Sequence, residues 1–278
     1  MIFLKRLFKF YINSSLHVAC SVLALAHLTL LRLGGSGSFS FLCTVFFAAI
    51  FGYNFVKYFG LAKFHYRSLT TKLKEIQTLS ILCLIGFIFY FFMIKNALKL
   101  SLLVLGLITF FYGMPLKCVS SKSLRRITGL KIYVIAFVWA VTTSFLPQLE
   151  NGLELADIHY IWILERFIFI LVLMLPFEIR DMYFDDLKLS TIPQRIGLYN
   201  TKILGYFGVF LLFVFISQNT NAVAFISSSL TLLFLLLFLT KSRPDRSVYF
   251  TAFWVESLPI IWWIMWFVLD KLKESCTF

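Results

Sequence analysis

The segment PFEIRDMYFDDLKLSTIPQRIGLY, residues Pro176–Tyr199, lies between two long apolar stretches of the chain, at residues 159–177 and 200–217. Three of its acidic residues are spaced three and four positions apart, namely Glu178, Asp181 and Asp185. A helix would place these carboxylates on one face, where like charges repel. Carboxylates together with a substrate phosphate are a common environment for Mg²⁺. The segment therefore predicts either a metal-assisted phosphate site or a solvated helix end, with Arg180 and Lys188 as counter-charges.

The composition of the whole chain excludes an ordinary soluble protein. Of the 278 residues, 60% are apolar and 14% are charged, and the mean hydropathy is +0.88, whereas a soluble domain has about 45–50% apolar and about 25% charged residues. Backbone polar groups must be paired inside a bilayer, so the apolar stretches are predicted to be helices. We expect an all-α, multi-pass bundle that forms one transmembrane domain over residues 1–278. Nine predicted spans cover residues 14–33, 39–62, 75–94, 98–114, 129–146, 159–177, 200–217, 220–240 and 248–269.

The basic residues predict an orientation in the lipid bilayer. The net charge is +13, and 19 of the 26 lysines and arginines fall at the N-terminus or in the loops after the even-numbered spans. This asymmetry is typical of cytoplasmic loops, so we expect a cytoplasmic N-terminus and an outside C-terminus. It also accounts for the charge without a nucleic-acid partner. The first apolar stretch is predicted to be a retained span, and a plasma membrane is the simplest location.

A second charged segment, YGMPLKCVSSKSLRRITGLK at Tyr112–Lys131, follows the fourth predicted span. Its basic residues Lys117, Lys122, Arg125 and Arg126 have the charge to hold a polyanion such as a diphosphate. Contact with anionic lipid headgroups is the alternative explanation of the same charges.

Together the two segments resemble the UbiA-type intramembrane prenyltransferase superfamily. Asp181-Met-Tyr-Phe-Asp185 fits the second DxxxD motif of that family, and Thr191-Ile-Pro-Gln-Arg195-Ile-Gly197 fits the run that commonly follows it. A Tyr-x-x-Pro…Lys stretch after the fourth helix is matched by Tyr112, Pro115 and Lys117.

The resemblance implies a nine-helix enzyme that moves a prenyl group from a prenyl diphosphate to a hydrophobic acceptor, either aromatic or lipid. It also implies Mg²⁺ at Asp181 and Asp185, with Glu178 in support. The remaining implied site residues contact the diphosphate or lie around it, and they are Lys117, Tyr112, Arg125, Arg126, Arg195 and Asn54.

The first motif of the family, NxxxDxxxD, is incomplete. Asn54 is kept, but Tyr58 and Ala62 stand where the two acids belong, so the site is expected to hold as few as one ion. Lys57 lies next to this face, either as a positive charge for the diphosphate or as a lysine that snorkels to the interface. The missing acids also favour an alternative function, a non-catalytic protein that binds an isoprenoid or an anionic lipid.

Charged and aromatic residues within the spans give further expectations. Arg166 and Glu256 are predicted to pair across helices, because isolated charges at such depth are costly. Trp262, Trp263 and Trp266 are predicted to form an aromatic belt at the membrane interface. A transporter is a third alternative, but few polar residues are present on the spans to line a path.

Overall fold

The computed structural model describes residues 2–64, 71–114, 129–184, 190–218 and 221–276. All regular structure in these ranges is helical. The helices are α1 (Ile2–Asn13), α2 (Leu16–Arg32), α3 (Phe39–Phe64), α4 (Thr71–Phe91), α5 (Asn96–Gly113), α6 (Leu130–Ala140), α7 (Leu146–Glu150), α8 (Tyr160–Asp181), α9 (Ile192–Ile216), α10 (Ala222–Lys241) and α11 (Leu258–Cys276). Two π-helical turns, Val141–Phe145 and Phe250–Val255, precede α7 and α11.

The number of spans in the structure agrees with the number predicted from the sequence. In the described part of the chain, eight helices are long and apolar enough to cross a membrane. Helices α1 and α2 form a bent pair at 55°, which makes a ninth candidate. The prediction of about nine spans in an all-α bundle is therefore confirmed.

One boundary differs clearly from the prediction, because α9 begins at Ile192 and not near residue 200. Thr191 and Gln194 form a capping box, in which the backbone N–H of Thr191 donates to Oε1 of Gln194 at 2.9 Å. Pro193 lies in the first turn, where its missing N–H is harmless. Gly197, with φ of +79°, interrupts the helix after this polar first turn. Hydropathy detected only the apolar helix beyond the glycine.

The spans form a closed ring, because α11 packs against both α10 and α2. We call the end that carries α1 and the α3–α4, α5–α6, α8–α9 and α10–α11 connections the basic end. There Arg6 of α1 pairs with Glu75 of α4 at 2.6 Å. At the opposite end Arg32 pairs with Glu165 at 3.0 Å. Which end faces the cytoplasm stays a prediction.

Close packing of α9 on α8 depends on Gly208. A Cβ atom at this position would lie 2.5 Å from Cγ2 of Val172, a buried and stiff side chain. Gly208→Ala is therefore expected to lower the free energy of unfolding by about 1–3 kcal/mol. Gly106→Ala is the control, because a Cβ atom added to Gly106 would have no other atom within 4 Å, and helix propensity should make the change neutral or stabilising. Thermal unfolding in detergent measures both, and equal stability of the two variants would contradict the packing.

The predicted tryptophan belt is wrong. Trp262 and Trp266 are buried in the bundle, and the indole N–H of Trp263 donates to Nδ1 of His27 on α2 at 2.8 Å. The tryptophans therefore join α11 to the neighbouring helices instead of marking the lipid interface. Hydropathy places them on a span but does not give the rotation of that span about its axis.

The predicted pair between Arg166 and Glu256 is also absent from the described ion pairs. Glu256 interacts electrostatically with Arg180. Arg166 is fourteen positions before Arg180 on α8, which is about 21 Å along a helix. Arg166 and Glu256 therefore lie at different depths in the bundle.

Candidate functional site

Asn54, the retained residue of the first motif, joins α3 to α4 and to the turn between α1 and α2. Its Nδ2 donates to the carbonyl of Ser14 at 3.0 Å and to Oγ of Ser80 at 2.9 Å. The residue is buried, and its Oδ1 has no hydrogen-bond partner. The backbone carbonyl of Ser14 fixes the orientation of the amide, so the acceptor oxygen stays available for a donor from a ligand or water.

Tyr58, in place of a family acid, bonds to the protein itself. Its hydroxyl donates to the carbonyl of Asn13 at 2.7 Å, and Nζ of Lys57 donates to the same oxygen at 3.3 Å. Asn13 is the last residue of α1, where helix carbonyls have no partner within the helix. These two side chains therefore cap α1 at its bend into α2. The side chain of Ala62 lies outside the described residues.

The second motif begins with a tight pair between neighbours. Nε and Nη2 of Arg180 lie 2.6 and 2.7 Å from the two carboxylate oxygens of Asp181. Nη1 of Arg180 donates to Oγ1 of Thr251 in the π-helical turn before α11. Asp181 is at the end of α8, and its side chain is 25% exposed. The carboxylate is thus held by a protein cation at a position that a ligand can reach.

Glu178, one turn earlier on α8, is buried and faces α6. Its Oε1 lies 3.5 Å from Nζ of Lys131, the second residue of α6. This ion pair fastens the start of α6 to α8, directly after the basic loop of the sequence. Both described acids of the predicted stripe therefore have a cationic partner from the chain.

Glu256, which sequence reasoning placed elsewhere, is within electrostatic range of both halves of the site. Its carboxylate interacts electrostatically with Lys57 of α3 and with Arg180 of α8. Its backbone carbonyl accepts a hydrogen bond from Oγ of Ser21 at 2.5 Å. The residue directly follows a π-helical turn, and such turns are frequent at functional sites. We call Lys57, Arg180, Asp181 and Glu256 the polar cluster.

The start of α9 is bonded to the beginning of the DxxxD segment. Nε2 of Gln194 donates to the carbonyl of Met182 at 3.0 Å, which ties α9 to the end of α8. Nε of Arg195 donates to Oγ of Ser190 at 2.9 Å, and the side chain is exposed. Four other predicted site residues, Asp185, Lys117, Arg125 and Arg126, lie outside the described residues.

An apolar cavity of about 390 Å³ lies beside α3, between α2, α4, α5 and α6. It follows α3 from Val45 to Val56, which is about 16 Å of helix. Tyr112, in the last turn of α5, is buried and lines it, as do Tyr53 and Trp139, which are hydrogen-bonded to each other. We call this space the α3 cavity. Its volume falls within the usual range for small-molecule sites.

The fold matches a solved structure described as the apo structure of a UbiA homolog from Aeropyrum pernix K1. The match has a TM-score of 0.69 and covers 92% of this chain and 98% of that chain. This protein has a UbiA-type fold. The sequences are only 12% identical, so the likeness is one of fold. No family model and no curated protein matches the sequence.

The UbiA-type fold and the apolar spans identify this protein as a multi-pass integral membrane protein.

The acidic residues of the site can be compared with what the Mg²⁺ implied by the resemblance requires. Within the described ranges, no group of three or more His, Cys, Asp or Glu side chains is placed to hold a metal. Asp181 is paired with Arg180 but remains accessible, so it fits as a single protein ligand of an ion that is held mainly by substrate phosphates. Glu178 does not fit as readily, because it is buried against Lys131.

Sequence reasoning missed three contributors to this site. Glu256 was expected beside Arg166. The sequence indicated only that an acid within a span tends to mark a functional position, and it did not indicate the partner of that acid. Thr251 gave no signal, since it reaches Arg180 through a π-helical turn. Gln194 had a visible signal, the Thr-x-x-Gln pattern of a capping box.

Proposed function

We propose that this protein binds a prenyl diphosphate and transfers the prenyl group to a hydrophobic acceptor. The observation that carries the proposal is the α3 cavity, because it runs along the same helix that presents Lys57 to the polar cluster. An apolar chain in the cavity would have its charged head near the basic end. The UbiA-type fold supports the same arrangement.

The proposed chemistry needs positive charge around the diphosphate head of the substrate and exclusion of water around its prenyl tail. Mg²⁺ with Asp181 would supply electrostatic stabilisation of the diphosphate. Arg180 and Lys57 would donate to its oxygens, which favours departure of the leaving group. The allylic C–O bond breaks with its electron pair on the diphosphate, a bond forms to the acceptor, and the acceptor proton passes to the released diphosphate. The apolar walls would keep water from the allylic cation.

A second candidate function is a non-catalytic isoprenoid-binding protein. It is favoured by Tyr58, which takes the place of an acid and donates to Asn13. It is also favoured by the ion pair between Glu178 and Lys131, which occupies a predicted metal ligand. Such a protein would keep the α3 cavity and bind the diphosphate without turnover.

Turnover separates the two candidates. Purified protein in lipid nanodiscs is given radiolabelled prenyl diphosphates and a total lipid extract as a source of acceptors, and released diphosphate and labelled products are measured. A transferase gives Mg²⁺-dependent release that Asp181→Asn removes. A non-catalytic protein binds without release, and the double change Tyr58→Asp, Ala62→Asp should create release.

Tyr160→Asp is the matched control for the added charge, because Tyr160 is exposed at the opposite end of the bundle. It should leave both binding and release as in the wild type. Absence of binding and of release under every condition would contradict both candidates.

A further inference from the structure

Arg166 is a buried cation far from the polar cluster. It is 7% exposed and lies six residues into α8, which is about 9 Å from the opposite end. Its guanidinium carbon is 5.1 Å from the centre of the Trp262 ring. Its Nη2 donates to Oγ1 of Thr29 at 3.2 Å. The side chain is therefore held in one position by α2 and α11.

Two buried donors in this region are unused. Nη1 of Arg166 and Nε1 of Trp262 are both buried, and neither has a hydrogen-bond partner. Guanidinium and indole nitrogens only donate, so the missing partner must be an acceptor. Buried polar groups without a partner are rare in proteins, which indicates a bound group at this point.

The charge around Arg166 is not balanced by an ion pair in the described part of the chain. The neighbouring acid, Glu165, interacts electrostatically with Arg166, but its carboxylate also accepts from Nη1 of Arg32 at 3.0 Å. Arg32 also stacks over the Trp162 ring at 4.1 Å. The carboxylate is thus engaged by a second arginine, and the local balance is positive. Burial of such an excess charge is costly in a bilayer.

The hydrogen bonds around Arg166 involve backbone as well as side-chain atoms. Oγ1 of Thr29 donates to the carbonyl of Thr143 at 2.7 Å, so its oxygen lone pairs face Nη2 of Arg166. Thr143 belongs to the π-helical turn between α6 and α7. The next residue, Ser144, has a buried hydroxyl that is also without a partner.

We propose that a small monovalent anion binds between Nη1 of Arg166 and Nε1 of Trp262. A water molecule could accept from both donors but would leave the buried positive charge uncompensated, whereas an anion would both accept from them and balance the charge. The ion would enter from the opposite end past Arg32, whose side chain is 18% exposed. The site is about 21 Å along α8 from Arg180, and it does not depend on the proposed prenyl transfer.

Thermal unfolding at constant ionic strength tests the site. Purified protein in detergent is kept in sodium gluconate, which is replaced stepwise by sodium bromide or by sodium formate. The wild type should show a saturable rise in Tm with at least one of these small anions. Arg166→Gln should lose the rise, and Trp262→Phe should raise the half-saturating concentration about tenfold, as expected for one lost hydrogen bond to a charge.

A control variant and an anomalous diffraction measurement complete the test. Arg6→Gln removes an exposed arginine at the basic end and should keep the wild-type response. In wild-type crystals soaked in bromide, an anomalous peak is expected within hydrogen-bond distance of both Arg166 and Trp262. An unsaturable Tm response to both anions, an undiminished response in Trp262→Phe, or the absence of that peak would overturn the proposal.

Discussion

Asp181→Ala is expected to weaken Mg²⁺-dependent binding of a prenyl diphosphate about a hundredfold, which corresponds to about 2.7 kcal/mol. Asp181 is the accessible carboxylate at the end of α8, and a Mg²⁺ bound to substrate phosphates needs one or two such ligands. The change also releases Arg180 from its pair with Asp181. Binding without Mg²⁺ should therefore rise about tenfold, since a free guanidinium bonds phosphate oxygens well. Equilibrium binding of a labelled prenyl diphosphate, with and without Mg²⁺, measures both effects.

The matched control is Asp157→Ala, because Asp157 is an exposed acid between α7 and α8 at the opposite end. It should bind as the wild type does in both conditions. If Asp181→Ala kept wild-type affinity in Mg²⁺, the assignment of Asp181 to the metal would be wrong.

Ala49→Phe is expected to lower the affinity for long-chain prenyl diphosphates about a hundredfold while leaving inorganic diphosphate unchanged. Ala49 lines the α3 cavity midway between Val45 and Val56, so a phenyl ring there would fill space that the prenyl chain needs. Each buried methylene contributes about 0.8 kcal/mol, and exclusion of a few of them accounts for the expected loss. A series of prenyl diphosphates of increasing chain length should show that the loss grows with length.

Ala97→Phe adds the same ring at an exposed position in the first turn of α5 and should bind every chain length as the wild type does. An Ala49→Phe variant that bound all chain lengths equally well would show that the prenyl chain lies elsewhere.

The sequence predicted the fold well because hydropathy and charge act at the scale of whole helices. The nine spans follow from apolar length alone, and the excess of basic residues marks one end of the bundle. The early start of α9 was missed because Pro193 and Gln194 form a polar turn that hydropathy does not detect. The buried positions of Trp262 and Trp266 were missed because length does not give helix rotation.

The site could be predicted only in part, since it depends on contacts between distant segments. Asp181 and Asn54 were found from their motifs. The bond from Tyr58 to Asn13 depends on the bend between α1 and α2, which no pattern in the sequence indicates. The place of Glu256 beside Arg180 and not Arg166 depends on the relative depth of two helices.

Binding of radiolabelled geranylgeranyl diphosphate to the wild-type protein in nanodiscs tests the central claim most directly. Inorganic diphosphate and an uncharged prenyl alcohol serve as competitors. We expect saturable binding that Mg²⁺ strengthens and that each competitor displaces only weakly, because the α3 cavity and the polar cluster would hold the two parts of one ligand. Absence of saturable binding with and without Mg²⁺ would contradict the account and leave the UbiA-type fold without its proposed ligand.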